Sequence, residues 1–202
     1  MSIHASESAG SDIRAAALEL FSAVGFHGTG IRRIAEEAGV SLATLYHYMS
    51  SKEALLVEMM VGNIVTLLRD AELATQGAVH PRERLSELVR VHIRVHVEDR
   101  MLCIVSDTEI RSLSPESHAI VVKYRDDYEA LWNRTIAAGK KSGDFTVPDV
   151  DVAAKALLDM CTGVAHWYRP DGRVDLETLM DIYVELCLQA LVSHKPRKRH
   201  TS

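Results

Sequence analysis

Apolar and polar positions along this chain follow the period of an α-helix almost from end to end. Apolar residues recur three and four positions apart, and no segment alternates with the two-residue period of a half-exposed strand. We therefore expect an all-α fold. The long helices are predicted over residues 13–24, 51–74, 81–100, 102–112, 115–141, 150–168 and 176–192.

The spacing of these segments also predicts the domain organisation. Short apolar segments fill the first 50 residues, whereas all five prolines lie after residue 80, beside breaks in the pattern, as expected at helix ends. We expect an N-terminal three-helix domain in residues 1–50 and a larger C-terminal helical bundle in residues 51–192. Residues 193–202 form a basic tail that contains KPRKRH and is more typical of a disordered, solvated end than of a DNA contact.

Two short helices separated by a tight turn are predicted near residue 40. Gly39 supplies the left-handed backbone that a helix end favours, and Ser41 can cap the next helix. Two short helices joined in this way form a helix-turn-helix, whose second helix can enter the major groove of DNA. The apolar face of the first short helix consists of Ile31, Ile34, Ala35 and Ala38.

The second short helix, residues 42–49, has one apolar side and one side suited to DNA. The 100° step per residue turns Leu45 and Met49 inward. The opposite side carries a methyl group that can touch thymine and polar groups that can bond phosphates or base edges. These outward residues are Ala43, Thr44 (at the border), Tyr46 and His47.

The start of the following helix adds to this interpretation. Ser50 and Glu53 have the spacing of a capping box, and the exposed N–H groups of that helix start, with Lys52, can hold a phosphate. The alternative is a plain helical hairpin with an aromatic surface. The coincidence of a turn glycine, two caps and an exposed aromatic face within residues 29–53 favours the DNA-reading unit.

Residues 21–56, FSAVGFHGTGIRRIAEEAGVSLATLYHYMSSKEALL, resemble the N-terminal DNA-binding domain of TetR-family transcriptional regulators. The resemblance spans residues 13–56 and includes the Phe-x-x-x-Gly-Phe ending of the first helix. Gly30 departs from the serine or threonine common there, which makes Thr29 the expected cap of the second helix; Ala43 replaces a frequent glycine and Met49 a frequent phenylalanine. By this resemblance the DNA-contacting residues are Arg32, Leu42, Ala43, Thr44, Tyr46, His47, Tyr48 and Lys52.

Composition and charge refine this expectation. No apolar run approaches the ~18 residues of a membrane helix, and the first residues lack a secretory leader, so we expect a cytoplasmic protein with no membrane contact. Three scattered cysteines among apolar neighbours indicate free thiols. Residues 1–52 carry four Lys and Arg against five Asp and Glu, so positive charge must act locally, and we expect a shallow salt dependence of DNA binding.

The last two predicted helices, 150–168 and 176–192, are apolar around most of their circumference. The non-apolar stripe of the first consists of Lys155, Asp159, Thr162 and His166. A monomer can bury only one side of each helix. The apolar surface that is left predicts a homodimer in which these helices form a four-helix bundle. The alternative, that both helices are central in a monomer, is less favoured. A dimer places two reading helices ~34 Å apart, the spacing needed for a pseudo-palindromic operator.

The middle of the chain contains candidates for a small-molecule pocket. His92 and His96 share the buried arc of helix 81–100, and an arc of helix 115–141 is rich in aromatic residues. Apolar walls with a few polar groups are typical of ligand pockets, although His and Tyr also occur in ordinary cores. The further ligand candidates are Met101, Cys103, Tyr124, Tyr128, Trp132, Trp167 and Tyr168.

An all-helical metal-dependent enzyme is the alternative hypothesis, because His92, His96 and Asp99 lie on one helical face. The chain contains no His-Glu-x-x-His, no Glu-x-x-His, no Gly-x-Ser-x-Gly and no phosphate-binding glycine loop. We therefore expect no catalytic residues, no metal and no cofactor.

Residues 167–191 resemble those of actinobacterial regulators of lipid and steroid catabolism that respond to acyl-coenzyme A thioesters, which implies an acyl-CoA effector. The hypothesis from the sequence is a ligand-responsive dimeric repressor, in which the effector shifts the spacing of the reading heads and releases DNA through helix 51–74. The cations that either meet effector phosphates or form a solvated face are Arg90, Arg94, Arg111, Lys123 and Arg125.

Overall fold

The computed structural model describes the backbone of residues 3–192 and the side chains of residues 9–192. This part of the chain is helical and contains no strand, which confirms the predicted all-α fold. The predicted basic tail lies outside the described residues. The helices are α1 (Ile3–Gly28), α2 (Ile31–Glu37), α3 (Leu42–Tyr48), α4 (Lys52–Thr75), α5 (Pro81–Glu98), α6 (Arg100–Thr108), α7 (Pro115–Ser142), α8 (Val150–Thr162), α9 (Val164–Trp167) and α10 (Leu176–Ala190), with a 3₁₀ turn at Ile110–Ser112.

Several predicted helix boundaries are wrong in detail. The first helix, predicted over 13–24, extends over Ile3–Gly28. The predicted helix 81–100 ends at Glu98, because Asp99 has a non-helical backbone (φ −98°, ψ 33°) that separates α5 from α6. The helix predicted to reach residue 112 ends at Thr108 and continues as the 3₁₀ turn. The helix predicted over 150–168 is divided at Gly163 into α8 and the short α9.

The described chain divides into two compact units. The first comprises residues up to 68 together with 96–127, and the second comprises 69–95 together with 128–192. In the first unit α1 packs against α2 and α6, and α2 packs against α3. The fully buried side chains of α1 that form this core include Ile13, Ala17 and Phe21.

The end of α1 explains why the predicted cap of α2 is wrong. Gly25 interrupts α1 with φ 75° and ψ 166°, a backbone that favours glycine. The Thr29 hydroxyl donates to the Gly25 carbonyl at 2.8 Å, so it is used to close this break. Gly30 is therefore the N-cap of α2, with no side-chain hydrogen bond.

The core of the second unit is built by α5, α7, α8 and α10. Within the described part of the chain all three cysteines are buried thiols that form no disulfide, as predicted; Cys161 of α8 and Cys187 of α10 lie in this core with their sulfurs 3.9 Å apart. The fully buried residues of this unit include Leu85, Leu88, Ile93, Trp132, Ile136, Ala154 and Met180.

Two helical glycines provide a matched test of packing. A Cβ added to Gly139 of α7 would lie 2.0 Å from a ring carbon of buried Phe145, whereas one added to Gly62 of α4 meets nothing within 4 Å. We expect Gly139→Ala to lower the free energy of unfolding by about 2 kcal/mol through overpacking. Gly62→Ala should raise it by roughly 0.5–1 kcal/mol, because alanine favours the helix. Urea unfolding of both variants tests this, and equal effects of one sign would contradict the packing at Phe145.

Candidate DNA-reading surface and buried polar cluster

Helix α3 is held at both ends as the sequence predicts. Ser41 is its N-cap, and the Ser41 Oγ accepts the Thr44 backbone N–H at 3.0 Å. Gly39 has φ 65°, the left-handed backbone expected in the turn before it. Leu45 is completely buried and Met49 nearly so. Met49 lies just past the end of α3 in an extended backbone, so it anchors the helix from its C-cap.

The opposite side of α3 faces solvent. Tyr46 is 54% exposed and His47 is also exposed. Tyr48 is half-buried, with its ring near Gly10 and the His47 ring edge-on to it at 5.4 Å. The predicted DNA-contacting residues that are exposed are Arg32, Leu42, Ala43, Tyr46 and His47, and those that are half-buried are Thr44, Tyr48 and Lys52.

The predicted capping box at the start of α4 is wrong by one residue. The Ala54 backbone N–H donates to Ser51 Oγ at 3.0 Å, so Ser51 takes the capping position in place of Ser50. The Glu53 carboxylate does not close a box; it accepts the Ser114 backbone N–H at 2.8 Å. Hydrogen bonds from the side chains of Ser117 and Ser114 and from this N–H lower the pKa of Glu53.

Lys52 is tied to the end of the first helix. Its Nζ donates to the carbonyls of Phe26 (2.6 Å) and Thr29 (2.7 Å) and lies 4.2 Å above the Phe26 ring. Burial lowers the pKa of Lys52, and the negative charge of Glu109 partly opposes that shift. Because an ammonium group has three N–H bonds, one remains for a phosphate.

We expect Lys52→Met to act mainly through this anchor. The two carbonyls that lose their donor should cost about 1–3 kcal/mol of unfolding free energy. The slope of log affinity against log salt should change by less than the ~0.9 expected when one phosphate contact is lost. Urea unfolding and DNA titration at several salt concentrations measure both quantities. Unchanged stability with a full change in slope would show that Lys52 serves DNA instead.

A buried polar cluster lies in the second unit, where α5, α7 and α8 meet. His92 Nδ1 is 3.1 Å from the Tyr128 hydroxyl, and His92 Nε2 is 3.1 Å from Thr162 Oγ1. The His92 ring stacks on Tyr128 and meets the Trp132 ring edge-on. We define these four residues, His92, Tyr128, Trp132 and Thr162, as the polar cluster.

The metal-enzyme alternative finds no support here. Both ring nitrogens of His92 are engaged by hydroxyl groups, which leaves neither for a metal. Among the described residues no group of three His, Cys, Asp or Glu side chains is arranged to hold a metal ion.

The structure brings three of the nine predicted ligand residues together, namely His92, Tyr128 and Trp132. Sequence reasoning missed Thr162 as a partner, although its place on the polar stripe of α8 was a signal. Cys103, in the first unit, is contacted by the Asn63 amide at 3.6 Å, and burial raises the pKa of its thiol to about 11, so it is neutral. The remaining candidates are buried His96 and Tyr168, half-buried Tyr124, and exposed Met101 and Trp167, whose ring stacks on Tyr183.

The cations considered for effector phosphates are partly engaged within the protein. Arg90 pairs with Asp181 and, more distantly, with Glu177, and Arg94 lies 3.7 Å from Glu177. Arg125 donates to the Ser106 carbonyl at 2.9 Å. Exposed ion pairs of this kind contribute little stability, so an anionic ligand can displace them.

Helices α8 and α10 leave an apolar surface uncovered. Leu186 of α10 is 49% exposed. Ile182 lies one turn earlier on the same face of α10, because positions four apart share a face. It is 45% exposed. Val152 of α8 is 65% exposed. We call Val152, Ile182 and Leu186 the apolar face.

Two known family models match this chain. The family model "Bacterial regulatory proteins, tetR family" matches residues 13–59, and the model "Tetracyclin repressor-like, C-terminal domain" matches residues 78–191. The chain belongs to the TetR family. It is therefore a ligand-responsive transcriptional regulator of the repressor type that binds DNA, and not an enzyme.

Individual relatives agree with this assignment. The HTH-type transcriptional repressor KstR2 of Rhodococcus jostii is 27% identical over 88% of each chain. A solved tetR-family regulatory protein from Rhodococcus RHA1 has 30% identity and a TM-score of 0.85, covering 93% of this chain and 98% of that one. AibR, solved in complex with isovaleryl coenzyme A and operator DNA, shares the fold at 24% identity and a TM-score of 0.80, covering 88% and 97%.

No helix in the described part of this TetR-family chain is both long and apolar enough to cross a membrane.

Proposed function

We propose that this chain is a homodimeric repressor that reads a pseudo-palindromic operator and is released from it by an acyl-CoA thioester. The observation that carries the DNA-binding half of this proposal is α3 itself. Its buried Leu45 fixes the helix, and its cap at Ser41 defines the start, while Tyr46 and His47 project into solvent. A short, rigid helix with one polar exposed side is what major-groove reading requires.

In this proposal residues 1–50 form the DNA-binding domain, and residues 51–192 form the effector-binding and dimerisation domain. Tyr46 and His47 contact base edges or phosphates from α3, and Arg32 approaches the backbone from α2. Half-buried Thr44 and Tyr48 contribute from the border of the same surface. Two copies joined through α8 and α10 supply two such surfaces, one for each half-site. The operator is chromosomal DNA, so the protein works in the cytoplasm.

The effector half of the proposal rests on the second unit. Its core is strongly apolar and contains one buried polar cluster, which suits a ligand with a hydrocarbon part and a small polar group. KstR2 of Mycobacterium tuberculosis is described as a ketosteroid transcriptional regulator, and a 24% identical relative from Bacillus subtilis is a fatty acid metabolism regulator. The AibR complex shows that this fold accommodates a CoA thioester and operator DNA. An effector acts only if it binds the released state more tightly than the DNA-bound state.

The test uses the full chain and the DNA upstream of its own gene. Footprinting should show protection of a short inverted repeat, and fluorescence anisotropy should show its release by a subset of a CoA thioester panel running from isovaleryl-CoA to palmitoyl-CoA. Free coenzyme A at the same concentration should leave the complex intact. Failure to protect any repeat would overturn the operator half of the proposal, and release by no thioester would overturn the effector half.

A further inference from the structure

The polar cluster contains hydrogen-bond donors that its own contacts leave unused. A neutral histidine has one N–H and one bare ring nitrogen. His92 therefore donates to one of the two hydroxyls beside it and accepts from the other. The hydroxyl that receives the imidazole proton keeps its own O–H, which has no other partner among the described residues.

Trp132 adds a second donor at the same place. Its side chain is completely buried, and its indole Nε1 has no hydrogen-bond partner among the described residues. Burial raises the pKa of Tyr128, and the neighbouring Trp132 indole partly opposes that rise. An indole N–H can only donate. Two donors therefore share a buried, mostly aromatic site.

Buried donors are normally satisfied in folded proteins, so this site favours a ligand atom that only accepts. A carbonyl oxygen is such an atom and fits the apolar surroundings, whereas a ligand hydroxyl or ammonium would bring further donors. A carboxylate would bring a full negative charge into a buried, mostly aromatic site, which is costly. Thr162 is the one half-buried member, so a ligand would reach the cluster from the side of Thr162.

We infer that the polar cluster binds the acyl carbonyl oxygen of the effector, with Trp132 and the spare hydroxyl of Tyr128 or Thr162 as donors. This inference rests on the proposed CoA thioester effector and names the group that is recognised. A ligand that contacts the cluster in this way is read by its carbonyl, while the hydrocarbon part occupies the apolar core.

The test compares each CoA thioester of the panel with the S-alkyl-CoA of equal chain length, in which a CH₂ group replaces the carbonyl. Calorimetric titration of the wild-type chain should show that the thioester binds roughly 10- to 100-fold more tightly, as expected when buried donors lose their acceptor. In the double variant Tyr128→Phe with Thr162→Val this ratio should fall below about threefold. Tyr183→Phe, a phenol removed outside the cluster, should keep the wild-type ratio.

The outcomes separate the inference from the proposed function. Equal affinity of thioester and S-alkyl-CoA for the wild-type chain would overturn carbonyl recognition and leave the CoA effector standing; this comparison needs no variant to fold. An unchanged ratio in the double variant, with its unfolding transition intact, would also overturn the inference. Binding of no CoA derivative would overturn the effector class and the inference together.

Discussion

Replacing Tyr46 and His47 together with alanine is expected to weaken specific operator binding by at least ~100-fold, because each side chain of this kind contributes about 1–3 kcal/mol when it reads a base and the dimer presents it twice. The free energy of unfolding should change by less than about 0.5 kcal/mol, since both side chains are exposed and pack little. Fluorescence anisotropy with operator DNA and urea unfolding of the same sample measure the two effects.

Two further variants make this prediction specific. Val65→Ala removes an exposed apolar side chain from α4, and it should leave both DNA binding and stability unchanged. Leu45→Ala leaves a cavity at a completely buried position of α3, so it should lower the free energy of unfolding by about 2–5 kcal/mol. This variant should lose DNA binding because α3 is destabilised. Operator affinity retained by the Tyr46 and His47 double variant would remove α3 from the reading surface.

The pattern of apolar residues predicts the position of most helices, because helix length and helix starts depend on nearby residues. The long helix predicted over 51–74 is found at Lys52–Thr75, because its apolar period is unbroken across six turns. Pro81 and Pro115 occupy the first positions of α5 and α7, where proline is favoured and marks the start of a helix.

The capping errors occur where another contact, distant in one case and local in the other, decides which residue caps the helix. Ser50 and Ser51 are both competent caps for α4, and the choice of Ser51 accompanies the engagement of Glu53 by Ser114, 61 residues away. Thr29 resembles a cap, but its hydroxyl is used by the carbonyl of Gly25. Spacing in the sequence contains neither contact.

The polar cluster is predictable from the sequence only in part, because periodicity predicts which residues are buried but not which residues meet. His92, Tyr128 and Trp132 lie on buried arcs, so their burial follows from helical periodicity. The pairing of His92 with Thr162 joins α5 to α8 across 70 residues of sequence, and no periodicity predicts which residue of a polar stripe will meet the imidazole.

The start of α4 is where the structure connects the reading head to the rest of the first unit. Lys52 holds the carbonyls of Phe26 and Thr29 beside the helix-turn-helix, and the adjacent Glu53 holds the Ser114 N–H before α7. Consecutive residues therefore bind the DNA-reading helices on one side and the first turn of α7 on the other. A movement of α7 that carries Ser114 must either break the Glu53 contact or carry the start of α4 with it.

Placing aspartate at both Ile182 and Leu186 is expected to convert the protein to a monomer and abolish operator binding. These residues are the two large apolar side chains of α10 that are exposed in the single copy. The proposed dimer through α8 and α10 would bury both. An uncompensated charge buried in an interface costs about 3–5 kcal/mol, so the dimer dissociation constant should rise by at least ~100-fold. Analytical ultracentrifugation measures the association, and anisotropy with full and half operators measures its consequence for DNA.

The control for this prediction is Val79→Asp, which introduces the same charge at an apolar residue that is exposed in the connection between α4 and α5. It should leave the dimer and the operator affinity intact. The double variant should retain the unfolding cooperativity of a folded chain, because both replaced side chains already face solvent in the single copy. A double variant that remains dimeric at micromolar concentration would exclude the apolar face as the interface, and a monomer with undiminished operator affinity would exclude paired reading heads as the source of specificity.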